Sequence, residues 1–219
     1  MGILSKTFRK IFYNPKEKRH ELVGPGKLWK LKRDFQINFL KSQGLKTTDN
    51  FLDIGCGTLR GGIPLIQYLN KGLYSGIDVR EIAIREAKKE LIDEKLIDKN
   101  PKIILFNKFN ELTFEDKFDV ILAFAVLFHL EDHILKDCLE FVKQNLKPNG
   151  KFYANIYPAA KSDGKWLDFP VVFRSLDFYQ KHAEQNQLSI KVIDTMENLG
   201  HITNMPGDQQ VMLEFSHSN

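Results

Sequence analysis

Two acids flanking a run of glycines are the residues of this chain whose types and spacing could do chemistry. Phe51-Leu52-Asp53-Ile54 reads as a short strand, enters the turn Gly55-Cys56-Gly57, and is followed by a helix-like run over 63–69. A strand that turns sharply into a helix on glycines brings backbone N–H groups close to a polar ligand. Asp53 stands two residues before the first glycine. A carboxylate there would repel a pyrophosphate laid against the glycines and the helix N-terminus. The dinucleotide pattern G-x-G-x-x-G also fails, since it needs glycine where this chain has Arg60, and G-x-x-x-x-G-K-[ST] is absent. The acid suits a cationic ligand instead, accepting hydrogen bonds, directly or through water, from an ammonium group close to a sulfonium.

At these residues the chain resembles the class I S-adenosylmethionine-dependent methyltransferases, from about residue 45 to the C-terminus. Asp53-Ile54-Gly55-Cys56-Gly57-Thr58 is similar to the family's acid-x-Gly-x-Gly-x-Gly motif up to its last position. There the chain departs, with Leu59 where a third glycine is common and Gly61-Gly62 two residues later. This DIGCGTLRGG form looks like a bacterial subgroup acting on small molecules or saccharides. Arg60 then has two readings, a contact to the ligand carboxylate or a solvated residue of the first helical turn. The resemblance implies S-adenosylmethionine as cofactor, held by Asp53, Gly55, Cys56, Gly57, Arg60, Asp78, Val79, Arg80 and Ala125. It also implies an α/β fold: a Rossmann-like, seven-stranded, mostly parallel sheet with one antiparallel strand and helices on both faces. Asp78 ends the expected second strand, 72–78, at 25 residues from Asp53. A strand-end acid in that place accepts two O–H hydrogen bonds from a ribose diol, with Val79 and Arg80 beside the adenine. A lone strand-end aspartate is otherwise a helix cap.

Alternating apolar strands and amphipathic helices position these groups. Helices are expected over 27–43, 82–94, 134–145 and 174–187, and strands over 102–106, 118–123, 151–156, 190–195 and 211–215, the last of them antiparallel. Leu146-Lys147-Pro148-Asn149-Gly150 reads as a turn into the fifth strand. The loop after the fourth strand, Ala123 to Leu130, should carry the reacting end, because ligands bind beyond the C-terminal strand edges. It lacks the [ND]-P-P-[YF] of base-amine methylation and a cysteine nucleophile. Ala125 and Tyr157 stand where metal-dependent relatives place acids. Metal-free methyl transfer to oxygen, nitrogen or carbon of a small acceptor remains, and hydroxyl O-methylation is the leading expectation. A hydroxyl acceptor needs a general base, for which His129 is the first candidate and His201, in a turn resembling H-P-x-G-Q, the second. Each has a structural alternative, His129 as a cap and His201 in an ordinary Gly/Pro connection. The insertion 157–173, with Tyr157, Lys161, Asp163, Lys165, Trp166 and Asp168, is expected to form the acceptor pocket, suited to a sugar or sugar phosphate.

Composition bounds the rest. A chain of 219 residues with 42% apolar content fits one domain with a single good core. No apolar run approaches the roughly 18–20 residues of a bilayer span, and Cys56 and Cys138 suggest neither disulfide framework nor metal site, so a cytoplasmic setting is expected. Charge is uneven. Residues 1–33 hold ten basic residues against Glu17 and Glu21, a net of +8, and the whole chain carries +4, which leaves −4 for residues 34–219. We therefore divide the chain into a basic N-terminal extension, 1–26, and a catalytic domain, 27–219. On a helix, Ile3, Leu4, Phe8, Ile11 and Phe12 fall opposite Ser5, Lys6, Arg9 and Lys10. Residues 2–13 then either contact the inner membrane surface peripherally or dock on the domain. Two rival functions remain: an RNA or protein methyltransferase that grips its target with the basic arm, and a scaffold that binds S-adenosylmethionine without catalysis. Nucleic acid is disfavoured, because no aromatic is left on the arm's basic face for stacking and the body is acidic.

Overall fold

The computed structural model of the protein describes residues 15–158, 163–205 and 209–218. The amphipathic helix expected over 2–13, Lys161 and the tip 206–208 lie outside the described residues. Helix α1 (Pro15–Glu21) and helix α2 (Trp29–Ser42) precede strand β1 (Phe51–Ile54). Then follow α3 (Gly62–Tyr68), β2 (Tyr74–Asp78), α4 (Glu81–Asp93), β3 (Lys102–Leu105), β4 (Phe118–Ala123), α5 (Asp132–Asn145) and β5 (Leu146–Ile156). The chain closes with a small hairpin, β6 (Gly164–Trp166) and β7 (Phe169–Val171), then α6 (Leu176–Gln185), β8 (Leu188–Thr195) and β9 (Val211–His217).

Seven strands form one sheet in the order β3-β2-β1-β4-β5-β9-β8. All run parallel except β9, which is antiparallel to both neighbours. The expected Rossmann-like topology is borne out. Strand β1 is buried at all four positions, and the two-residue strand period sorts its side chains. Phe51 joins the core shared with α2, α3 and α4, while Leu52 and Ile54 join the core under α5 and α6. Asp53 therefore points to the same side as Phe51, toward α2 and α3. Helix α5 shows how a sequence stripe becomes a packed face: Leu135, Cys138, Leu139 and Val142 recur at helical spacing and are all fully buried. Among the described residues, no helix is long and apolar enough to cross a membrane.

Two expectations change. Residues 146–150 are not a free turn ahead of β5 but part of it. Leu146 pairs with Phe118 and Lys151 with Val120, so Lys147-Pro148-Asn149-Gly150 bulges within the ladder. Pro148 is tolerated there because a bulged residue owes the ladder no N–H. The insertion after β5 contains the β6–β7 hairpin, in which Trp166 lies opposite Phe169.

The described part of the N-terminal extension is docked on the domain. Arg19, 6% exposed, reaches Glu86 at 3.3 Å and Asp93 at 2.8 Å on α4 and also pairs with the buried Glu90. Lys16 pairs with Glu94, and His20 stacks on Trp29 with ring centroids 3.5 Å apart. These contacts carry Leu22 and Val23 across the C-terminal edge of the sheet as a strap.

Candidate functional site

The turn after β1 takes left-handed backbone at alternate residues, Gly55 (φ +73°), Gly57 (φ +56°) and Leu59 (φ +66°). Leu59 thus keeps the conformation of the missing third glycine, at a cost of about 1–3 kcal/mol for a non-glycine residue, and its side chain is fully buried. A Cβ on Gly55 would stand 2.5 Å from Val126 Cγ2, and one on Gly57 would stand 2.6 Å from Val23 Cγ1. The first two glycines therefore let the β4 loop and the strap close directly on the turn.

Asp53 is 3% exposed and accepts a 2.7 Å hydrogen bond from the Tyr74 hydroxyl. Burial raises its carboxyl to about 7, with Asp78 adding repulsion, while the Tyr74 bond and nearby Arg60 oppose the rise. Arg60 is 9% exposed, and its Nη1 donates 2.7 Å to the backbone oxygen of Val23. It is neither solvated nor wholly committed to a ligand: one arm ties down the strap. Its burial brings the guanidinium down to about 10. Among the described residues, Arg60 Nε and Thr58 Oγ1 are buried with no hydrogen-bond partner. Cys56 turns its side chain into the core, and burial drives its thiol pKa well up, so only its backbone faces the turn.

At the end of β2, Asp78 is 5% exposed and accepts from the backbone N–H of Gly57 (2.9 Å) and of Arg80 (2.8 Å). It thereby fastens the glycine turn to β2. Val79 is exposed beside it. Arg80 turns back over the site: Nη1 donates 2.8 Å to Leu22 O, and its Cζ lies 5.7 Å and 5.8 Å from the Trp166 and Phe169 ring centroids.

Beyond β4, Ala125 also takes left-handed backbone (φ +58°), and its N–H donates 2.7 Å to Asn155 Oδ1. That bond orients a buried relay, in which Asn155 Nδ2 donates to Gln210 Oε1 and Gln210 Nε2 donates 2.9 Å to the Tyr157 hydroxyl. His129 ends a single 3₁₀ turn, Leu127–His129. Its Nδ1 lies 2.8 Å from Pro170 O in the hairpin, and a carbonyl can only accept. The proton therefore sits on Nδ1 and the Nε2 lone pair is basic. Burial, with a contribution from Arg80, holds the ring below the usual histidine range. Trp166 and Phe128 stand 5.5 Å and 4.7 Å away. His201 is placed differently, 4% exposed against Phe35 and Phe124 at 5.0 Å and 5.6 Å, its backbone N–H donating to Met196 O. The two candidate bases are not brought together, and His129 is the one at the rim formed by the hairpin.

Two cavities lie at opposite edges of the sheet. One of about 30 Å³ lies on the glycine turn between Val23, Gln36, Asp53, Arg60 and Phe124. A larger one of about 260 Å³ lies at the opposite edge of the sheet, lined by Asn50, Leu73, Lys102, Phe118 and Lys147. Strand N-terminal edges are not where α/β sheets bind ligands, and the Lys147–Asp119 pair (2.7 Å) lies in this cavity's wall. Volume alone does not locate the chemistry. Sequence reasoning missed Val23, Gln36, Tyr74 and Asn155, whose partners are 21 to 37 residues away along the chain. The one local signal was the displaced Gly61-Gly62 pair.

A family model described as a methyltransferase domain matches residues 52–152. The magnesium protoporphyrin IX methyltransferase of Synechocystis PCC 6803, solved with bound SAM, superposes over 97% of this chain and 96% of its own, with TM-score 0.69 and 16% identity. An S-adenosylmethionine-dependent methyltransferase of Clostridium acetobutylicum aligns over 99% of this chain and 100% of its own, with TM-score 0.64 and 14% identity. The CcbJ methyltransferase of Streptomyces caelestis covers 85% of this chain and 90% of its own, with TM-score 0.66 and 14% identity. At such identities the structures speak for the fold, and the family model speaks for the segment from β1 into β5. Over residues 52–152 the chain is similar to a methyltransferase domain, and the solved structures share its fold.

Proposed function

We propose that the protein uses S-adenosylmethionine to methylate a hydroxyl of a polar small molecule, a saccharide precursor among the fitting classes, without a metal ion. The observation that carries this is the pair of buried acids, Asp53 and Asp78, set either side of the glycine turn at the C-terminal strand edge. The residues present fit the cofactor. Asp53 would face the ammonium group, and the unpartnered Arg60 Nε suits a carboxylate. Asp78 retains lone pairs for a ribose diol, and exposed Val79 offers apolar surface to adenine. When bound, the sulfonium supplies an already activated methyl group. What the protein adds is alignment and exclusion of water, which the strap, the hairpin and the β4 loop are placed to provide.

His129 is the base in this reading. Its Nδ1–H is tied to Pro170 O and its pKa lies low, so at neutral pH Nε2 can take a proton from an acceptor hydroxyl. Metal independence rests on residue types, since Ala125 and Tyr157 offer no carboxylate at the ends of β4 and β5. Calorimetry with S-adenosylhomocysteine and NADH tests the cofactor, and Asp78→Ala tests the ribose contact. The variant should weaken S-adenosylhomocysteine by about 1.5–3 kcal/mol, the range for hydrogen bonds to a charged group. Unchanged affinity would remove Asp78 from the site, and tighter binding of NADH would overturn the cofactor assignment.

A further inference from the structure

We infer that Gln36 is an acceptor for the α-ammonium group of the cofactor, and that Gly61 and Gly62 stand as glycines to admit Gln36 and Tyr74. This rests on the cofactor reading above. Gln36 lies on α2, ahead of the segment in which the sequence resemblance begins, and is 4% exposed. Its Nε2 donates 3.0 Å to Lys32 O, one helical turn back. Since a carbonyl only accepts, that bond fixes which end of the amide is which, and Oε1 is turned toward Gly61. Gln36 lines the same small cavity as Asp53, Arg60 and the glycine turn.

The glycines account for themselves in these terms. A Cβ on Gly61 would fall on Gln36 Oε1, and one on Gly62 would stand 2.5 Å from the Tyr74 hydroxyl oxygen. Gly61 has ordinary right-handed backbone (φ −79°, ψ −29°), so no conformational demand requires glycine there. Close approach of two polar side chains does. Tyr74 gives its hydroxyl proton to Asp53, and Gln36 presents an oxygen. The cavity thus offers two acceptors, Asp53 and Gln36, and a donor without a partner, Arg60 Nε. That set matches a zwitterionic amino-acid group and gives nothing to a bare nucleoside.

The test compares S-adenosylhomocysteine with 5′-methylthioadenosine, which keeps the nucleoside and thioether but lacks the amino-acid end. Calorimetry is run on the wild-type chain, Gln36→Met and Gly61→Ala, the last displacing the amide without deleting it. Both variants should bind S-adenosylhomocysteine about tenfold more weakly and methylthioadenosine as the wild type does. Parallel loss for both ligands, or unchanged S-adenosylhomocysteine affinity, would overturn the assignment. Should Gln36→Met not fold, Gly61→Ala decides alone. A wild-type chain that binds methylthioadenosine and S-adenosylhomocysteine equally refutes the Gln36 role while keeping the cofactor. One that binds neither refutes the cofactor reading and this inference with it.

Discussion

Tyr74→Phe should turn cofactor binding into a more alkaline process. Asp53 is held at about 7 in the folded chain, chiefly by burial, against about 3.9 in an unfolded one. The sign follows from linkage. A raised carboxyl takes up a proton on folding, so its contribution to stability is fully present below about pH 4 and is lost as pH rises through about 7. A cofactor ammonium reverses the preference, because it favours ionised Asp53, and binding below about pH 7 must release a proton. Affinity for S-adenosylhomocysteine should therefore climb by up to about tenfold per pH unit toward pH 7 and then level off. The Tyr74 hydroxyl, 2.7 Å from Asp53 Oδ2, supports the ionised form. Removing a bond of that type costs about 1.5–3 kcal/mol. At about 1.36 kcal/mol per unit, Asp53 moves up by about one to two units. At pH 7 the variant should bind about ten- to a hundredfold more weakly, and the deficit should shrink as pH rises. Calorimetry in two buffers of different ionisation enthalpy measures affinity and proton release together. Binding that is independent of pH and buffer, or a midpoint that Tyr74→Phe leaves in place, would refute the placement of Asp53 against the ammonium.

The His129 ring should titrate below the usual histidine range, read from its imidazole NMR signals with His129→Gln as the assignment control. Because its folded pKa is depressed, its contribution to stability is fully present above about pH 6.5 and is lost as pH falls from there through the lower folded value, and a midpoint above about 6.5 would contradict its neutral, Nδ1-protonated state. Arg19→Ala should lower unfolding free energy by about 1.5–3 kcal/mol in urea titration, since Glu90, 3% exposed, loses its Arg19 hydrogen bond and keeps only Lys16 at 3.8 Å and His20 at 3.6 Å. A loss smaller than about 1 kcal/mol would mean that the α1–α4 contact is marginal in solution.

The sheet was legible because parallel strands buried on both faces write themselves as short apolar runs between amphipathic helices, and β1, β2 and β4 fall where expected. Asp53 and Asp78 were legible because each sits at the end of such a run. The stretch 146–150 misled because Pro148, Asn149 and Gly150 serve a bulge inside a ladder as well as they serve a turn. Arg60 could be given two roles from sequence and has a further one, since nothing local indicates that one partner is the backbone of Val23. Gln36 was hidden for the opposite reason: on an amphipathic helix a lone glutamine reads as surface until the fold presses it onto Gly61.

Arg80 belongs to two covers at once. One nitrogen holds the Leu22 carbonyl of the strap, and the same guanidinium lies against Trp166 and Phe169 of the hairpin whose Pro170 orients His129. Lifting the strap strips this cation of a buried acceptor, and the guanidinium regains a hydrogen bond most readily by swinging into water and leaving the two rings. The hairpin then loses a contact that presses it onto the β4 loop, and the Pro170–His129 bond loosens with it. On the proposed function, opening the strap for the cofactor would also loosen the hold on His129, so the two covers would act together.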